Sequence, residues 1–60
     1  MATLSVPQLE AAYDQLAEAI DLAGPEHTEL FLTKLCVLMA NALGDPAVVD
    51  LLVQSALRDL

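Results

Sequence analysis

Positive charge is almost missing from this sequence: two Lys and Arg side chains stand against nine Asp and Glu. A formal net charge of -7 on 60 residues argues against nucleic acid as a partner, because phosphate recognition needs clustered Lys and Arg. It argues equally against an anionic membrane surface. Tyr13 and Phe31 are the only aromatics, too few to stack bases along a single strand. Cys36 is the only cysteine and His27 the only histidine, so neither a disulfide within the chain nor a Cys/His zinc set is available. The longest unbroken apolar run, Leu35 to Ala40, is far short of the roughly 20 residues of a membrane span. No basic stretch precedes an apolar one at the N-terminus, so no signal peptide is expected. That, with a lone thiol, points to a reducing cytoplasm.

What the chain does have is apolar surface. At 57% hydrophobic residues it is no candidate for intrinsic disorder, which pairs low hydrophobicity with high charge. Residues 1–60 allow one small domain, of a size at which a lone core is marginal. Without disulfides or metal, self-association is the remaining support.

Gly and Pro divide the chain. Gly24-Pro25 and Gly44-Asp45-Pro46 place Gly just past one helix and Pro in the first turn of the next. The expected fold is all-α, a three-helix up-down-up bundle with helices over about 6–22, 25–43 and 46–59. Ser5 and Gln8 form a Ser-x-x-Gln capping box for the first helix, and Asp45 caps the third. Leu9, Tyr13, Leu16, Ile20 and Ala23 make one apolar stripe, and Glu10, Asp14, Glu18 and Asp21 lie opposite. In the third helix Val49, Leu52, Val53, Ala56 and Leu60 form the inner stripe, while Leu51 falls outside it.

The second helix is different: beyond Glu29 it is apolar nearly all round, which is the pattern of a buried helix. Two flanking helices do not easily surround it, so it is expected to be central and shared with a second protomer. Thr33, Lys34 and Asn41 share its polar arc with Leu30 and Val37. These five, with Leu51, are the expected interface, and an exposed apolar patch of this sort on a small protein marks a contact surface. A homodimer is the favoured assembly.

Site chemistry is sparse. Glu10, Asp14 and Glu18 recur every four residues, but no Glu-x-x-His accompanies them, so they read as a solvated acidic face rather than a metal site. His27, between Glu26 and Glu29, has neither a nucleophile nor a substrate pocket beside it. Cys36 has no neighbouring cation to activate it and reads as a small buried hydrophobe, and Met39 as core filling. No catalytic residue, cofactor or metal ligand is assigned.

The stretch Ala40-Asn41-Ala42-Leu43-Gly44-Asp45, at the end of a Leu-rich helix and preceded by an early aromatic at Tyr13, resembles the signature of a small bacterial family known as a domain of unknown function. The likeness covers most of the chain, although its motif is a helix stop. Members of that family tend to be encoded near flavin-dependent aromatic hydroxylases, which implies an accessory role and supplies no catalytic residue. The expected function is therefore non-catalytic protein–protein interaction, as a homodimer and as an accessory subunit of an aromatic-catabolism enzyme. The alternative is a module for an apolar or aromatic ligand, with a cavity between protomers around Phe31, Leu35 and Met39.

Overall fold

The computed structural model describes residues 3–60 as three helices: α1 (Val6–Ala23), α2 (Thr28–Leu43) and α3 (Pro46–Arg58). This is the all-α, three-helix fold that the Gly and Pro punctuation implies, with no strand among the described residues. At the start of α1 the Gln8 backbone N–H donates to Ser5 Oγ at 3.3 Å, and the Ser5 N–H donates to Gln8 Oε1 at 2.9 Å. Pro7 has no N–H, so two of the three N–H groups that the start of α1 leaves without partners are met in this way. Asp45 caps α3 with a single bond, its Oδ1 accepting from the Ala47 N–H at 2.9 Å.

The start of α2 departs from expectation. The Gly-Pro pair predicts a helix from residue 25, whereas α2 begins at Thr28. The two turns differ by one residue, and that difference explains it. At Gly44-Asp45-Pro46, Gly44 takes the left-handed conformation (φ 72°, ψ 13°), and Asp45 is left to be extended and to cap. At Gly24-Pro25 one residue must do both jobs. Gly24 ends α1 at φ 81°, and the following proline forces its ψ to an extended 159°. No residue remains to cap, so Pro25–His27 form a turn first. The His27 N–H donates to the Gly24 carbonyl at 3.1 Å, and Thr28 Oγ1 donates to the same oxygen at 3.0 Å. His27 stands at the cap position without a side-chain hydrogen bond.

Packing is confined to the corners. Partial burial runs from Ala12 to Ala23 on α1, includes Thr28, Phe31, Leu35 and Ala40 on α2, and stops after Val48 and Val49 on α3. Helix α1 packs on α2 and α2 on α3, but α1 and α3 do not touch within the described residues. No described residue is buried. Several expectations are therefore corrected. Leu9 and Tyr13 of the first stripe are 58% and 72% exposed, Leu52, Val53 and Leu60 of the third are exposed, and so are Cys36 and Met39. Each sits on an apolar row as the spacing requires, but no second helix reaches it.

The radius of gyration, 12.7 Å, is that of a compact domain of about 100 residues, whereas 60 residues would give roughly 10 Å. The accessible surface, 5368 Å², compares with roughly 3,800 Å² for a compact monomer of 6.4 kDa.

The two glycines answer differently to substitution. Asn tolerates the left-handed region but not the conformation of Gly24, which is nearly glycine-only. Neither position lacks room for a side chain. Gly24→Asn is expected to cost about 1–3 kcal/mol and Gly44→Asn less than about 1 kcal/mol, read by thermal or urea melts. Equal losses would refute the assignment. Asp45→Ala, which removes a cap, should cost about 1 kcal/mol in the same assay.

Candidate interaction surface

Apolar surface is open on all three helices, and two parts of it involve α2 and the expected interface. The first is the outer arc of α2, where Leu30 is 53% and Val37 65% exposed. Thr33, Lys34 and Asn41 are exposed on the same arc, and Thr33, Lys34, Val37 and Leu38 line one shallow depression. The Thr33 hydroxyl is turned back onto its own helix, donating to the Glu29 carbonyl at 2.8 Å. Val37 and Leu38 are the apolar part of the depression. Leu51, 68% exposed, belongs to α3, six residues past the Asp45 cap. The six expected interface residues are thus all exposed, five of them grouped on α2.

The second surface escaped the sequence reading. Between α2 and α3 lies an open groove of about 260 Å³, lined chiefly by Cys36, Met39, Leu43, Leu52, Val53 and Ala56, with no charged residue in its lining. Their spacing predicts the interior of a closed bundle for these side chains. Because α3 meets α2 only around Ala40, Val48 and Val49, they form the floor and wall of a cleft instead. The signal available in the sequence was the excess of apolar residues on α2, which gives the amount of uncovered surface but not its position.

Of the residues expected around a cavity between protomers, Phe31 and Leu35 are partly buried on α2 with Thr28, at i, i+3 and i+7, whereas Met39 lines the α2–α3 groove. Glu10, Asp14, Glu18 and Asp21 are exposed along α1. Among the described residues no group of three or more His, Cys, Asp or Glu is placed to hold a metal ion. No described helix is long and apolar enough to cross a membrane.

Comparison of the chain with family models, with curated proteins and with solved structures gives no match.

His27 is exposed and makes no capping bond, so its side chain has little to lose. His27→Ala should change stability by less than about 0.5 kcal/mol, measured by urea denaturation. A loss well above that would give the imidazole a structural role.

Proposed function

We propose that this protein is a non-catalytic helical module that works by protein–protein contact and exists as a homodimer. The observation that supports this is the uncovered apolar surface. One chain alone hides roughly two fifths of what its unfolded form exposes, against roughly 60% for a compact domain of this length. Helices of 13 to 18 residues are marginal without tertiary packing, so an assembly that covers α2 is the economical way to hold them. The hetero-partner in this proposal is a flavin-dependent aromatic hydroxylase, for which the protein acts as an accessory subunit. That part rests on the family resemblance alone.

Sedimentation equilibrium tests the assembly directly. The expected mass is about twice 6.4 kDa at micromolar concentration, with a melting temperature that rises with concentration. A concentration-independent monomer would remove the homodimer. Turnover of a substrate that survives rigorous purification and is lost in His27→Ala would overturn the non-catalytic assignment.

A further inference from the structure

We infer that the α2–α3 groove is the seat of the second copy: two chains set their grooves against one another and share a core that neither builds alone. This rests on the homodimer reading above and adds where the contact lies.

Three observations support it. The first is area, which calls for a second copy without locating the contact. The surface exposed beyond that of a compact monomer is roughly 1,600 Å² per chain, so covering it on both chains removes roughly 3,200 Å². That lies within the roughly 2,000–5,000 Å² of obligate homodimers and well above a lattice-type contact. The second is charge. Each copy carries -7, and like charges brought together oppose association. The groove lining contains no charged side chain: four of the nine acids, Glu10, Asp14, Glu18 and Asp21, stand on α1, and the other five, Glu26, Glu29, Asp45, Asp50 and Asp59, lie on or beside α2 and α3 outside that lining. Two linings set against one another therefore bring no acid of the lining against its own copy.

The third observation separates the groove from the outer arc. A two-fold interface presents the same patch from both partners, so residues near the axis meet their own copies. On the outer arc this brings Lys34, in the middle of the patch, towards the partner's Lys34. In the groove the corresponding groups are Met39, Leu43 and Leu52, and methionine adapts well to an irregular apolar contact. The exposed thiol of Cys36 stands at the edge of that lining, between it and the depression around Leu32, Thr33 and Val37, so its protection is read together with the Leu52 and Leu30/Val37 variants.

The test measures mass and thiol reactivity on the same wild-type samples. Where sedimentation gives the dimer, Cys36 is expected to react with a disulfide reagent at least tenfold more slowly than in urea-unfolded chain. Dilution to monomer should restore the rate. Leu52→Asp should weaken dimerisation by 100-fold or more, and Leu22→Asp, on an exposed part of α1, by less than threefold. Helical circular dichroism at high concentration checks that each variant still folds; the wild-type thiol measurement needs no variant. A dimer whose Cys36 reacts at the unfolded rate overturns the groove assignment and leaves the homodimer standing. So does a dimer lost on Leu30→Asp/Val37→Asp but kept by Leu52→Asp. A monomer at every concentration overturns both.

Discussion

Helices as short as these hold their shape by laying apolar rows against one another, because propensity alone leaves them marginal in water. In this protein that contact is rationed by the turns. Each pair of consecutive helices meets close to the residues that join them and separates further along, so α1 and α3 have no contact within the described residues. Everything else in the structure depends on that geometry. The exposed leucines, the open groove and the large radius of gyration are three measures of the same incomplete closure.

The turns themselves show how a single residue alters a helix start. With Asp45 between glycine and proline, helix termination and helix capping fall to different residues, and α3 begins at once. Where Gly24 is followed directly by Pro25, the same backbone must turn, stay extended and leave the next helix uncapped. Thr28 donates its hydroxyl to the Gly24 carbonyl, which ties the start of α2 to the end of α1 without capping it. The joint between α1 and α2 is held by that bond and by the His27 N–H, rather than by a side-chain cap.

Elements and two of the caps were legible in the sequence, the start of α2 apart, because they follow from local chemistry: Ser5 with Gln8, Asp45 beside Pro46, and a glycine after each of the first two apolar stretches. Burial was not, because periodicity identifies the apolar side of a helix without saying that anything covers it. Tyr13, Cys36 and Met39 lie on rows that a closed bundle would bury, and each is exposed. The outer arc could be read from Leu30 and Val37 standing among polar neighbours. The groove could not, since its residues look like ordinary core until the angle between α2 and α3 is known.

The placement of contacts near the turns also sets an order of events in folding. Contacts close in sequence need little loop closure, and chains rich in them reach their transition state quickly. Each helical corner of this chain is such a local unit, with helix formation on the microsecond scale. In the proposed dimer, the step that covers the remaining apolar rows is an encounter between two chains, whose rate depends on how much protein is present. Synthesis level then decides how long a new chain spends with its leucines in water, and a poorly expressed copy is the one most exposed to proteolysis.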